Sequence, residues 1–189
     1  ARATALAAVA AGLVLAACAA PTLMEFDPAA PCDPAVREQM RGAYPALEAR
    51  VPAELGGEAA ASRDSGRFCS ADTLGSVYEA GVREVRFGGA IWQIGRGGVQ
   101  MGVFEGDGLT AELMAEEYRR AADRDRATEA VVPTTLQIAG RPAWRVDVIN
   151  GSSRQAIVVW PSADGQAVQS VVAADVDESV LQEAIAAFR

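Results

Sequence analysis

The change at Val82 from helical periodicity to alternation of apolar and polar residues is the strongest constraint on the fold. Two alternating runs, 90–94 and 99–103, flank residues 95–98, which read Gly-Arg-Gly-Gly. Because a short Gly-rich segment between two such runs is typical of a hairpin, we predict two antiparallel strands here. The same segment suggests a phosphate-binding loop, but such a loop needs a helix after it, and here a strand follows.

The second half of the chain predicts further strands and two long helices. Leu113, Met114 and Tyr118 share one helical face, which predicts a helix over about 110–125. A similar apolar stripe predicts a last helix that begins at Asp177. Further strands are predicted at 136–138, 144–148, 155–160 and 168–173, joined by short turns. We therefore predict an α+β fold, with a mostly antiparallel sheet of about five to six strands, helices packed on one face, and an N-terminal helical segment.

The first half of the chain is less regular. Asp33 followed by Pro34 is typical of a helix start, so we predict a helix from there to about Ala43, with one or two further turns beyond it. The polar segment 56–72 predicts a loop or a strand of irregular pattern, and the segment 73–81 predicts a short helix.

The sequence contains no His and no Lys, and its 25 acidic residues outnumber 17 basic ones, for a net charge of -8. Without His, the chain cannot build Ser-His-Asp or Cys-His catalytic sites or His-ligated zinc. Without Lys, Schiff-base chemistry and a phosphate-loop lysine are excluded. An acidic chain with no basic run is also unsuited to nucleic acid. We expect no cofactor, no metal site, no catalytic residue and no nucleic-acid partner.

Residues 3–17 form an apolar segment that follows Arg2 and is too short to span a bilayer as a helix. The segment ends in Leu15-Ala16-Ala17-Cys18, which resembles the lipobox of bacterial lipoproteins. The resemblance implies a signal peptide at 1–17, cleavage before Cys18, a diacylglyceryl group on the Cys18 sulfur, and a fatty acyl group such as palmitate on the new amino terminus. Two or more chains fit a stable anchor, because one acyl chain binds a membrane only marginally.

Two other interpretations of this segment stay open: an ordinary signal peptide cut after an Ala-x-Ala site, and an uncleaved membrane anchor. In the lipoprotein interpretation, residues 18–31 form a Pro- and Ala-rich tether that spans at most about 45 Å. Residues 32–189 then form a single domain, lipid-anchored to the cell membrane on its extracytoplasmic side, at the cell surface or in the periplasm.

Cys32 and Cys69 remain as a pair once Cys18 is assigned to the lipid. In an exported, oxidising setting an even pair favours a structural disulfide bond. The alternative is a reactive redox thiol, which needs a lowered pKa and is usually close in sequence to a second Cys. We predict the Cys32–Cys69 disulfide.

The region from Ala90 to Phe188 carries a second resemblance. It contains a strand that begins Gly-Arg-Pro-x-Trp-x-Val, at residues 140–146, and it closes with an amphipathic helix. Its element order is similar to that of the Mog1/PsbP-like domains of small exported actinobacterial lipoproteins. The resemblance covers about half of the chain and implies an α+β fold with a non-catalytic binding or accessory role.

The candidate ligand-binding residues are Trp92, Trp144 and Arg145, which lie on predicted strands. Aromatic rings on a sheet face can bind apolar or sugar ligands, although core packing is the more common role of such rings. We expect a ligand site on the sheet face away from the helices, where Arg96 and Arg154 are weaker candidates. A lipid carrier would have a cavity between sheet and helices instead, lined by residues such as Met101, Met114, Trp144 and Ile157.

Acidic residues give two further hypotheses. Asp175, Asp177 and Glu178 form a cluster that either binds calcium or, as we expect, caps the last helix. Pairs such as Glu105 and Asp107 would be needed for an enzyme that uses two carboxylates, and Asp147 beside Arg145 is another such candidate. Solvated charge on the outside of a sheet is the ordinary role of all these residues.

Together these observations predict a membrane-anchored extracytoplasmic lipoprotein with a non-catalytic module that binds a protein partner. The alternative function is a carrier of a lipid or another apolar small molecule. An enzyme with paired carboxylates is the third possibility.

Overall fold

The computed structural model describes residues 27, 29–33 and 42–188. Within them the strands are β1 Glu54–Leu55, β2 Glu58–Ala59, β3 Ser62–Phe68, β4 Val85–Ile94, β5 Gly97–Glu105, β6 Ala130–Ile138, β7 Arg141–Asn150, β8 Ser153–Pro161 and β9 Val168–Ala174. Strands β1 and β2 form a small separate hairpin. The other strands form a seven-stranded antiparallel sheet in the order β3-β4-β5-β9-β8-β7-β6.

The helices within the described residues are α1 Pro45–Glu48, α2 Ala71–Leu74, α3 Ser76–Glu79, α4 Ala111–Arg124 and α5 Glu178–Ala187. Helices α4 and α5 confirm the two long helices predicted from the apolar stripes. Thr110 is the N-cap of α4, and its hydroxyl accepts a hydrogen bond from the Leu113 amide. The predicted hairpin is also confirmed, since β4 and β5 pair directly and Gly95 in the turn between them has a positive φ.

Helices cover both faces of the large sheet, whereas we predicted them on one face. Helices α1 and α5 pack on one face, called here the first face, and α2, α3 and α4 lie on the other, the second face. The central strands require this arrangement because they are apolar on both sides: the consecutive residues 157–160 are all buried. The predicted α+β class and mostly antiparallel sheet are confirmed, with seven strands in place of five or six.

The core of the first face forms around Trp92 and Trp160, each 1% exposed. The Trp160 ring meets the ring of Phe188 edge-on, with centroids 5.4 Å apart, at the end of α5. The indole nitrogen of Trp92 donates a hydrogen bond to the Glu58 carbonyl at 3.0 Å, so its polar atom is satisfied inside the core. Leu181 of α5 is 1% exposed and completes this layer.

Strand β3 lies within the segment that we predicted as a loop or an irregular strand, and the structure has the strand. Its sequence is polar, and it occupies one edge of the sheet, where only one neighbour is needed. Arg63 holds α1 against this edge by donating to the carbonyls of Glu48, Val51 and Pro52 at 2.6–2.8 Å. Ser65 is fully buried and donates to the Glu48 carboxylate at 2.6 Å. Side-chain bonds to α1 therefore stabilise an edge strand that has little apolar character.

The predicted disulfide between Cys32 and Cys69 is confirmed, with the two Cα atoms 6.1 Å apart. It closes a loop of 37 residues, which stabilises the fold by about 3–4 kcal/mol in the chain-entropy model. The predicted signal peptide at 1–17, the predicted acylation site Cys18 and most of the predicted tether lie outside the described residues. So does most of the helix that we predicted from Asp33 to Ala43.

No helix among the described residues is both long enough and apolar enough to cross a membrane.

Two adjacent glycines of β4 give a matched test of this packing. A Cβ at Gly88 would lie 2.5 Å from backbone atoms of Leu47 and Glu48, so Gly88 is what allows α1 to approach the sheet. A Cβ at Gly89, on the second face, would meet only the Met101 carbonyl, at 3.3 Å. We expect Gly88→Ala to lower the free energy of unfolding by about 1–3 kcal/mol and Gly89→Ala to change it by less than about 1 kcal/mol.

Urea unfolding of both variants, followed by circular dichroism, measures the difference. Equal free energies of unfolding for the two variants would contradict the close approach of α1 to Gly88.

Candidate functional site

An apolar groove of about 460 Å³ lies on the second face, between strands β3–β5 and helices α2–α4. It exists because α4 packs over β6, β7, β8 and β9 and leaves the other half of this face to the short helices α2 and α3. Its floor, walls and roof include Asp64, Phe68, Leu74, Val77, Phe87, Gly89, Gln100, Gly102, Phe104, Met114, Glu117, Tyr118 and Ala121. Volumes of this size are typical of small-molecule sites.

The floor of the groove includes three residues that lie side by side on β3, β4 and β5, and Ser170 of β9 continues this row beyond the lining. The pairing places Asp64 of β3 beside Gly89, Gly89 beside Gly102, and Gly102 beside Ser170 of β9. Gly102 has a packing role, because a Cβ there would lie 2.7 Å from the Phe104 ring, which folds over it. Gly89 does not have a positive φ, and among the described residues a Cβ there would meet a single atom, the Met101 carbonyl oxygen, at a close 3.3 Å, with no side chain above it. A strand glycine of this kind often marks the close approach of a ligand.

Aromatic rings form one wall of the groove. Phe68 and Phe87 are stacked with centroids 4.8 Å apart and an angle of 16° between the ring planes. Phe104 continues this wall where its ring covers Gly102. Such rings supply large apolar contact area with few rotatable bonds, which suits the binding of an apolar molecule.

The roof is held in place by a carboxylate that joins two helices. Glu117 of α4 accepts hydrogen bonds from the amide and the hydroxyl of Ser76 at 2.6 and 2.7 Å, and from Arg124 at 2.7 Å. Gly75 is required beside it, because its φ is +51° and a Cβ would lie 2.5 Å from the carboxylate. Burial raises the pKa of Glu117, but the hydrogen bonds from Ser76 and Arg124 outweigh it, so this pKa lies below its ordinary value.

The hydroxyl groups of Tyr118 and Ser170 meet beside the groove, and of these two residues Tyr118 is the one that lines it. The Tyr118 hydroxyl is 3.5 Å from Oγ of Ser170, and Ser170 is 2% exposed. Tyr118 is half-buried and borders the groove. Burial raises the pKa of the Tyr118 phenol, and the hydrogen bond with Ser170 lowers it by less. The phenol is therefore protonated at neutral pH and is able to donate a hydrogen bond.

The charged residues that line the groove are acidic. Asp64 and Glu117 are the charged residues among the described ones that line it, and neither Arg nor Lys is among them. Glu117 is paired with Arg124, which is 61% exposed and is not part of the lining.

The groove reaches the same sheet edge that holds the end of the predicted tether. Phe68 lines the groove, and the next residue, Cys69, forms the disulfide with Cys32. Arg67 donates a hydrogen bond at 2.9 Å to the carbonyl of Ala30. The described residues nearest the proposed anchor are thus fixed beside strand β3.

The structure does not bring the three predicted ligand residues together. Trp92 is a core residue of the first face. Trp144 packs on the second face, beside α4. Trp144 and Arg145 both border a wide, more open depression of about 770 Å³ between α4 and strands β6 and β7. The guanidinium of Arg145, however, is held by Asp147 and by Glu178 of α5, which lies on the first face.

Of the residues predicted to line a carrier cavity, Met114 alone borders the groove. Met101 is fully buried in the core of the first face. Ile157 packs in the core of the second face without reaching the groove. The groove lies between sheet and helices, where a carrier cavity was expected, but three of the four residues named for that cavity do not line it.

The other acidic candidates have structural partners. Asp175 accepts hydrogen bonds from the Ser153 hydroxyl and the Arg154 amide at 2.9 and 2.8 Å, and Asp177 is the N-cap residue of α5. Glu105 pairs with Arg50 at 2.8 Å. Among the residues that the structure describes, no group of three or more Cys, Asp or Glu is arranged to hold a metal ion.

No protein-family model and no curated protein matches the chain. The functional argument therefore depends on the geometry of the groove.

Sequence reasoning missed Gly89, Gly102 and Tyr118 as site residues. A signal was present in the two glycines, because Gly102 lies inside an alternating run and Gly89 directly precedes one, and strand glycines often mark a close approach. Their positions opposite each other depend on the β4–β5 register, and the pairing of Gly102 with Ser170 joins strands far apart in sequence.

The Glu117 carboxylate predicts an acid dependence of stability. A carboxyl group whose pKa is lowered by folding stabilises the protein above its unfolded pKa, and this contribution is lost as the pH falls through the folded pKa. We expect the urea midpoint of the protein to decrease as the pH is lowered below about 4.3. The urea midpoint of Glu117→Gln should decrease less steeply over the same pH range.

Glu129→Gln, which removes an exposed carboxylate outside the groove, is the matched control. Its urea midpoint should depend on pH as that of the unchanged protein does. If the midpoints of Glu117→Gln and Glu129→Gln had the same pH dependence, the bond between Glu117 and Ser76 would contribute nothing to it.

Proposed function

We propose that the protein is a lipid-anchored extracytoplasmic binding protein that holds a small, largely apolar molecule in the groove on the second face. The observation that carries this proposal is the open glycine floor at Gly89, bounded by aromatic rings and roofed by α3 and α4. This function was the alternative to a protein-binding module in the sequence analysis, and the groove is what favours it. The volume of about 460 Å³ supports a ligand of small-molecule size.

The proposal includes no chemistry on the ligand. The sequence lacks His and Lys, which removes the commonest general bases and amine nucleophiles. The groove carboxylate Glu117 accepts hydrogen bonds from Ser76 and Arg124, so its oxygens serve the roof. Binding and release are sufficient to account for the residues that line the groove.

The proposed anchor at Cys18 would place the groove close to the membrane surface. The tether from Cys18 to Cys32 contains few residues, so it would keep strand β3 within a few nanometres of the membrane. Because the groove reaches this edge of the sheet, an apolar ligand from the bilayer would have a short path to it. The disulfide supports this placement by fixing the end of the tether beside Phe68.

Filling the groove tests the binding function. The protein used is the full chain from residue 18 onward, exported, with Cys18→Ser to remove the lipid attachment point. We expect it to bind the fluorescent hydrocarbon diphenylhexatriene, and we expect Gly89→Leu to weaken that binding by about tenfold or more, because the new side chain occupies the floor.

Trp144→Ala is the matched control, since it changes the depression beside α4 and leaves the groove intact. Equal binding by the protein and Gly89→Leu, with Trp144→Ala impaired, would move the site to that depression. The proposed function would be rejected if diphenylhexatriene did not bind and if native mass spectrometry of the purified protein gave the mass of the polypeptide alone.

A protein partner is the second candidate, and the edge strand β6 favours it. Val132 is 48% exposed on this edge, and residues 133–135 beside it are exposed as well. An exposed strand edge is able to pair with an extended segment of another chain. If the groove bound neither diphenylhexatriene nor a co-purified ligand, this edge would be the next surface to test.

The anchor has its own test in cells. We expect Cys18→Ser to move the protein from the membrane fraction to the soluble fraction, because it removes the sulfur that would carry the diacylglyceryl group. The intact mass of the unchanged protein should exceed that of the polypeptide from residue 18 by the mass of its lipids. Unchanged fractionation together with an unlipidated mass would contradict the lipoprotein proposal.

A further inference from the structure

We infer that the ring of Phe104 sets the width of the groove, so that the groove accepts narrow, elongated apolar molecules and rejects molecules that are several fused rings wide. The inference rests on the proposed function and names the shape of its ligand, such as a single acyl or isoprenoid chain.

The first step is the position of the Phe104 ring. A Cβ at Gly102 would lie 2.7 and 2.8 Å from Cε2 and Cζ of Phe104, so the outer end of the ring lies over Gly102. Phe104 lines the groove, whereas Ser170, the neighbour of Gly102 on β9, does not. The ring therefore forms the boundary between the groove and the part of the second face that α4 covers.

The second step is the shape of the space that this ring leaves. Alternate residues of β4 from Val85 to Ile91 line the groove, which gives it a length of about 20 Å along the strand. Across the strands, β3 and β5 are about 10 Å apart, and the Phe104 ring occupies the β5 side of this distance. The groove is thus long in the direction of β4 and narrow across it.

The third step is that one substitution can remove this boundary. The floor at Gly89 is backbone, and the roof is held by the hydrogen bonds between Glu117 and Ser76. The Phe104 ring, by contrast, rests on Gly102, which has no side chain to take its place. A smaller residue at position 104 would open the groove sideways toward β9, because the space left by a removed ring closes only in part.

Two fluorescent hydrocarbons of different width test this selection, with the same Cys18→Ser protein. Diphenylhexatriene is a rod one ring wide, and pyrene is a plate of four fused rings, so shape and not charge separates them. The protein should bind pyrene at least about tenfold more weakly than diphenylhexatriene, because the wide molecule clashes with the Phe104 ring. Phe104→Ala removes the clash and should lower this ratio of dissociation constants by about tenfold.

Phe104→Leu gives a second test that does not depend on the stability of Phe104→Ala. Leucine keeps an apolar side chain closer in volume to phenylalanine, so the core under α4 stays filled. Because leucine is still smaller than the ring, this variant should lower the ratio of dissociation constants by about threefold.

Val159→Ala is the matched control, because Val159 is fully buried in the same core cluster as Phe104 and does not line the groove. It should leave the ratio unchanged. Equal affinity of the protein for the two hydrocarbons, an unchanged ratio in both Phe104 variants, or an equally lowered ratio in Val159→Ala would overturn the inference, while diphenylhexatriene binding would still support the proposed function. Absence of diphenylhexatriene binding to the Cys18→Ser protein would overturn both.

Discussion

Burial of the central strands on both faces is the constraint on which the rest of the structure depends. Strands β5, β9 and β8 carry apolar residues on both sides, so neither face is able to remain in water. The last helix, α5, covers one side and α4 covers the other. The hydroxyl of Thr110 caps the first turn of α4, and α5 begins after Asp177.

The groove follows from how unevenly these helices are distributed. Helix α4 covers the half of the second face formed by β6 to β9, and the half formed by β3 to β5 is bordered only by the short helices α2 and α3. The bond between Glu117 and Ser76 keeps α3 against α4, and Gly75 makes room for it. A sheet glycine at Gly89 then leaves open a floor that any larger side chain would fill.

The elements with a regular period could be predicted from the sequence. Alternation gave the β4–β5 hairpin, the apolar stripes gave α4 and α5, and the even pair of cysteines gave the disulfide. Strand β3 could be predicted only as a loop or an irregular strand, because its polar residues are held by side-chain bonds to α1 that only the tertiary structure reveals. The site was missed for a related reason: Asp64, Gly89 and Gly102 are brought together by the pairing of β3, β4 and β5.

The central claim is that the second face holds an apolar ligand over its glycine floor. Nuclear magnetic resonance of the isotope-labelled protein, titrated with diphenylhexatriene, tests it most directly because it reports each amide separately. The account predicts chemical-shift changes concentrated at Phe87, Gly89 and Gly102, with those of α5 and β6 unaffected. Changes centred on Trp144 and the depression beside α4, or no changes at all, would contradict it.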